Sequence, residues 1–136
     1  YDTKDIFATR DTHPENYLET QEGKNLPVVH CVKGTDGWQI NEKVKTALKD
    51  AVVIDKPTFG SKILAEEITK IAEKEDITVT LVGLCTDICV VSNAILIKSN
   101  LPEIPVKVIA SCCAGVTPES HEAALATMRM CQVQVE

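Results

Sequence analysis

The residues of this chain with the most chemistry to offer are a cysteine in a turn, an aspartate with two histidines, and a lysine closing an apolar run. Residues 77–94, ITVTLVGLCTDICVVSNA, form a β-branched apolar run that breaks at Gly83 and resumes as a helical pattern near Cys89. That pattern predicts a strand, a tight turn and a helix start with a thiol in the turn. The first backbone N–H groups of a helix lack intrahelical partners and carry the positive end of its dipole. A thiol placed there loses its proton more readily, and thiolate is the nucleophilic form. The same N–H groups can receive the oxygen of a tetrahedral intermediate. Cys89 is therefore the candidate nucleophile. Cysteine is also among the most buried residue types, so this stretch alone describes a packed thiol at an ordinary junction equally well.

Residues 5–10, DIFATR, predict a short strand, and Asp11-Thr12-His13-Pro14 follows at its carboxyl end. Open α/β sheets place their ligands at that edge. Alternate residues of an extended segment share a face, so Asp11 and His13 point the same way. Alone, a D-x-H word is more often a turn or a cap than a ligand set. Residues 28–32, VVHCV, predict a strand carrying His30, which by itself reads as a core histidine. Lys56 closes the predicted buried strand 51–54, where a lysine is usually just solvated.

The chain must supply elements to position these groups. At 136 residues it is read as one domain, long enough to bury a core without disulfides. A content of 44% hydrophobic and 25% charged residues is ordinary for a globular protein. A net charge of −6 without a Lys/Arg block argues against a nucleic-acid surface. No apolar run reaches membrane-spanning length, and the first residues lack a signal-peptide pattern, so a cytoplasmic protein without membrane contact is expected. Six cysteines do not have the spacing of a secreted disulfide scaffold, and C-x-x-C is absent. Five are read as core or near-site thiols and one as chemical.

Residues 15–27 are polar and predict a loop with one helical turn. Apolar spacing predicts a helix over 40–48. Ser61 is read as the N-cap of a helix reaching about 74, with Leu64, Ile68, Ile71 and Ala72 on one face. A helix over 89–99 follows the cysteine turn, then a buried strand over 106–110, with Cys112 and Cys113 beyond it as packing thiols. Thr117-Pro118 reads as N-cap and first residue of a helix to about 130, on which His121 reads as a surface or capping residue. A last strand is expected over 132–135. Strands alternating with helices imply a mainly parallel sheet with both faces covered, a three-layer α-β-α architecture.

Four words in this order, D-T-H-P, H-C-V-K-G-T, K-P-T-F-G-S and G-L-C-T-D-I-C-V, closely resemble the nicotinamidase branch of the isochorismatase-like cysteine hydrolases. The resemblance extends over nearly the whole chain and implies an isochorismatase-like, Rossmann-like hydrolase fold. It makes Cys89, and not Cys85, the residue that attacks an amide carbonyl, with Lys56 as its cationic partner. The backbone N–H groups of Cys85 and Cys89 become the oxyanion hole, and the peptide bond before Cys85 is expected to be cis. Asp11, His13 and His30 become ligands of a divalent metal, commonly zinc, and Glu22 is the nearest candidate for an added loop carboxylate. Trp38 and Phe59 are candidates for the aromatic surface that family members usually place just before H-C-V, where this chain has Leu26 and Pro27.

The implied activity is hydrolysis of nicotinamide to nicotinate and ammonia through a cysteine thioester, a step of NAD salvage. The alternatives are a related cysteine hydrolase acting on another small amide or carbamoyl compound, and a non-catalytic metal-binding member of the fold. The expected partner is a small-molecule amide, and homo-oligomerisation is left open. Family members usually begin with a strand ending in a D-x-Q-x-D-F-like word whose aspartate is the general base. No aspartate here matches it, and Tyr1 already lies past that point. The expectation is therefore that this sequence is part of a longer natural chain, since loss of that strand would expose backbone edges.

Overall fold

The structure, a computed structural model, describes all residues 1–136. The chain divides into two compact units, Tyr1–Thr58 and Phe59–Glu136.

In the first unit, β1 (Phe7–Asp11) pairs in parallel with β2 (Val52–Lys56), and the register places Asp11 opposite Lys56. Between them lie α1 (Gln21–Asn25) and α2 (Glu42–Leu48). The polar segment 15–27 is more helical than its composition predicts. A 3-10 turn at Tyr17–Glu19 leads into α1, whose N-cap Thr20 accepts from Gly23 N at 3.0 Å. Tyr17 is fully buried and its hydroxyl donates to the Leu26 carbonyl at 2.9 Å. Two expectations are corrected here. Residues 28–31 form no strand; only Val32 makes an isolated parallel bridge, with His13, and Val28 and Val29 are exposed. A β-branched run has strand propensity, but a strand also needs a partner, and this segment has none beyond that bridge. The apolar stripe of α2 is also not a buried face, since Val44 and Ala47 are both exposed.

Gly23 is where α1 touches the preceding turn. A Cβ at this position would stand 2.0 Å from the Tyr17 carbonyl oxygen. Gly23→Ala would gain about 1 kcal/mol of helix propensity, but relieving a backbone overlap costs about 1–3 kcal/mol or more. The variant is therefore expected to be less stable, with a lower urea midpoint.

In the second unit, β3 (Val79–Leu84), β4 (Val106–Ala114) and β5 (Gln134–Val135) form a parallel sheet in the order β3-β4-β5. All the strand pairings in both units are parallel, as the alternation of strands and helices predicts, and the fold is α/β. The connections are α4 (Val91–Asn100), preceded by a π-helical turn at Thr86–Val90, and α5 (Pro118–Met130). The remaining helix, α3 (Lys62–Ala72), begins as its cap residue predicts, with the Ser61 hydroxyl accepting from Leu64 N at 3.1 Å. The core joins Leu64, Ala65 and Ile68 of α3, Ala94 and Ile97 of α4, Val106 and Val108 of β4, and Leu125 and Met128 of α5.

Gly83 lies inside β3 at φ +117°, not in the turn, and the register slips there: Leu81 faces Val108 but Gly83 faces Cys113. An L residue rarely adopts this backbone conformation, which explains glycine at the slip. β4 runs on past the expected end at 110, through Cys112 and Cys113 to Ala114. Cys112 and Cys131 are exposed, which corrects their reading as packing or core thiols, and no disulfide joins the six cysteines. Burial pushes the half-buried Cys113 thiol above its ordinary pKa.

Candidate functional site

Each unit holds one group of reactive side chains. In the first, β1 delivers Asp11 and the chain then crosses the end of β2. Thr12 N donates to the Lys56 carbonyl at 3.0 Å, His13 N to the Cys31 carbonyl at 2.9 Å, and Lys33 N to the His13 carbonyl at 3.0 Å. These bonds hold the D-T-H word extended. Asp11, His13 and His30 each present one ligand atom, and the three atoms lie within 4.8 Å of one another. The rings of His13 and His30 meet edge to face at 4.7 Å, with the Tyr17 ring 4.7 and 5.1 Å from them. Burial first, then the Glu22 and Asp11 carboxylates, push the Tyr17 phenol above its ordinary pKa, so it remains a neutral donor.

Whether these residues fit a metal is tested by their hydrogen bonds. His13 is 5% exposed and its Nε2 has no hydrogen-bond partner. An orphaned buried polar atom costs about 1–3 kcal/mol, and a cation accepting its lone pair would remove that cost. The nearest carboxylate oxygens are Glu22 Oε1 at 3.6 Å and Asp11 Oδ2 at 4.0 Å. His30 Nδ1 lies 2.6 Å from the Val28 carbonyl. A neutral imidazole donating there presents its other nitrogen as a ligand, the usual arrangement behind a metal-binding histidine. Two imidazoles and a carboxylate suit a divalent transition ion and leave a coordination position open. Glu22 lies beside this trio without being one of the three.

Lys56 is 3% exposed, and its Nζ bonds Asp11 Oδ1 and the Thr58 carbonyl, the latter at 3.2 Å. One carboxylate oxygen of Asp11 thus pairs with the ammonium, while the other lies nearer His13. Sequence reading missed this pair because it depends on the β1/β2 register. Trp38 is pinned beside the same word: its Nε1 donates to Thr12 Oγ1 at 2.9 Å, and the Arg10 guanidinium covers one ring face at 3.5 Å from the centroid. Arg10 is itself held by Asp55 at 2.8 Å.

In the second unit the Leu84–Cys85 peptide bond is cis, as expected. Cys85 precedes a turn in which Val90 N donates to the Cys85 carbonyl at 3.0 Å, the long-range pattern of a π-helix, a form frequent at functional sites. Helical structure starts at Thr86, earlier than the periodicity predicts, so Cys89 lies within this turn and α4 continues from it. Cys89 is half-buried. The buried Asn93, which the sequence did not single out, donates to the Cys89 carbonyl at 2.8 Å and the Phe59 carbonyl at 3.3 Å, and accepts from Ser61 N at 2.9 Å. Phe59 itself is exposed.

The start of α5 is bonded to the same turn. Asp87 accepts from Val116 N at 3.0 Å and from the Ser120 hydroxyl at 2.5 Å, and Thr86 Oγ1 lies 2.8 Å from His121 Nδ1. His121 is thus half-buried, with its ring against the cysteine turn rather than free at the surface. Partial burial opposes charge on Asp87, but the bonds from Ser120 and Val116 outweigh it and hold the carboxyl below its ordinary pKa. A pKa lower in the folded than in the unfolded state adds stability that is complete above the ordinary aspartate value, about 3.9, and is lost as pH falls through the folded value. Asp87→Asn is expected to lower the urea midpoint at pH 7, and the gap to the natural protein should narrow toward pH 3.

The fold is similar to that of several solved enzymes. The pyrazinamidase/nicotinamidase of Streptococcus mutans UA159 aligns at 25% identity and a TM-score of 0.75, over 96% of this chain and 75% of that one. The pyrazinamidase of Pyrococcus horikoshii, solved in complex with zinc, aligns at 25% identity and a TM-score of 0.75, over 96% and 74%. The nicotinamidase of Bacillus subtilis, at 22% identity and a TM-score of 0.77 over 96% and 73%, speaks for the fold alone. No curated protein matches the sequence significantly. The family model of the isochorismatase domain matches residues 2–136, and the chain belongs to that family of α/β hydrolases.

Proposed function

We propose that this protein is a metal-dependent cysteine amidohydrolase that converts nicotinamide to nicotinate and ammonia. The observation that carries the reading is the Asp11, His13 and His30 cluster with its orphaned imidazole nitrogen. Isochorismatase chemistry proper, hydrolysis of a vinyl ether, relies on neither this ligand set nor a cysteine. Relatives at 25% identity named for pyrazinamide and nicotinamide hydrolysis, one of them solved with zinc, support the same substrate class and metal.

In this reading the Cys89 thiolate forms a C–S bond to the carboxamide carbon. The carbonyl electron pair moves to oxygen, where the N–H groups of Cys85 and Cys89 receive it. Collapse breaks the C–N bond, and the nitrogen leaves as ammonia after taking up the proton that the Cys89 thiol gave up on ionising. Water then cleaves the thioester, releasing nicotinate and the thiol. Lys56 keeps the cationic role that the resemblance gives it. Asp11, His13 and His30 would hold a divalent ion, with zinc the metal proposed and Glu22 a supporting carboxylate. When bound, that ion supplies a Lewis-acidic point that orients the substrate ring. Trp38 and Phe59 are proposed as ring-contacting residues.

The test is ammonia release by the full natural chain from nicotinamide, pyrazinamide and a small carbamoyl compound, before and after chelation and zinc return. Nicotinamide turnover that falls on chelation and returns with zinc supports the reading. Turnover of the carbamoyl compound alone redirects it to another substrate class. No ammonia from any of them, with Cys89 no more reactive toward iodoacetamide than an ordinary thiol, contradicts it.

A further inference from the structure

We propose that His121 is a positioning residue for the cysteine turn, acting through the buried hydroxyl of Thr86. The inference rests on the reading of Cys89 as nucleophile and concerns what aims the backbone around it. Thr86 directly follows Cys85, its side chain is 0% exposed, and its Oγ1 lies 2.8 Å from His121 Nδ1. His121 is brought close by a second feature. At Gly115 a Cβ would stand 2.9 Å from the His121 Cβ, so only glycine lets the first turn of α5 approach the end of β4 this closely.

The neighbouring residue is tied to the same helix. The Ser120 hydroxyl belongs to the capping box of α5, accepting from Thr117 N at 3.0 Å, and also donates to Asp87 Oδ2 at 2.5 Å. Two successive side chains of the turn, Thr86 and Asp87, are therefore anchored to one rigid helix start. Tertiary bonds of this kind can hold a π-helical turn against relaxation to ordinary α-helical spacing. Such relaxation would rotate the peptide planes at Cys85 and Cys89 and misdirect their N–H groups. Oxyanion donors act only when aimed at the developing charge, and losing one costs about 100- to 1,000-fold in kcat. Misaiming by loss of the His121 contact should cost less, about 10- to 100-fold.

The experiment measures kcat and KM for nicotinamide in the full natural chain and in His121→Leu, His121→Asn and Cys89→Ala, with urea midpoints for each. Asparagine places an amide nitrogen close to the site of Nδ1 and can restore the bond to Thr86, whereas leucine cannot. The expected result is a 10- to 100-fold lower kcat in His121→Leu with KM within about 3-fold, and recovery of most of that loss in His121→Asn. A merely structural contact would lower the urea midpoint and leave kcat per folded molecule unchanged, which overturns the proposal. Equal kcat losses in both His121 variants also overturn it. Full activity in Cys89→Ala overturns the nucleophile reading and this inference with it; an inactive Cys89→Ala beside a fully active His121→Leu overturns this inference alone.

Discussion

Replacing Cys89 by alanine is expected to lower kcat for nicotinamide by about four orders of magnitude or more, with the fold intact. At about 1.4 kcal/mol per tenfold, this is a loss of about 5.5 kcal/mol of transition-state stabilisation. The size follows from covalent catalysis. Without sulfur no thioester forms, and only orientation and oxyanion donors remain to help a water molecule. The fold should survive because Cys89 is only half-buried and contributes to the turn through its backbone, the carbonyl being held by Asn93 at 2.8 Å. Ammonia release beside a far-UV circular dichroism spectrum checks both parts. Asn93→Ala would not be an equivalent probe, since it also removes the acceptor of Ser61 N at the start of α3.

The second large effect concerns the metal. His13→Ala is expected to bring bound zinc from about one ion per chain to near zero and to abolish any rise in Tm on adding zinc. His13 is the buried member of the trio and the one whose nitrogen lacks any other partner, so its loss removes a ligand that no side chain of comparable burial replaces. An ion bound only by the folded state stabilises it by about 2.7 kcal/mol at a hundredfold excess over Kd. That corresponds to several degrees of Tm for a domain of this size. Metal analysis after gel filtration and thermal melts with and without zinc read the effect independently of turnover. Glu22→Gln should be far milder, because Glu22 stands 3.6 Å from His13 Nε2 without completing the trio.

What the sequence made legible divides along a physical line. Ser61 and Thr117 announced α3 and α5 because caps and amphipathic stripes are local, and both side chains cap their helices as expected. Asp11 and His13 were legible as co-directed because an extended chain alternates with period two. The Lys56–Asp11 pair was not, because it spans 45 residues and exists only through the β1/β2 register. His121 was misjudged for the same reason: its partner Thr86 is 35 residues away. Residues 28–31 were misread in the opposite direction. Their composition favours a strand, but pairing decides, and no partner strand runs beside them. The cysteine turn lay between these cases. Its place after a strand was readable, but the contacts that Val116, Ser120 and His121 make with the side chains of Asp87 and Thr86 span about thirty residues and were not.

The most direct test of a thioester on Cys89 is peptide mass spectrometry of the natural protein, acid-quenched during steady turnover of nicotinamide. The account predicts that the peptide containing Cys89 is heavier by one nicotinoyl group in place of a hydrogen, and that the increment disappears once substrate is exhausted. Ammonia release with Cys89 unmodified at every quench time, or with the nicotinoyl group on another residue, would contradict it.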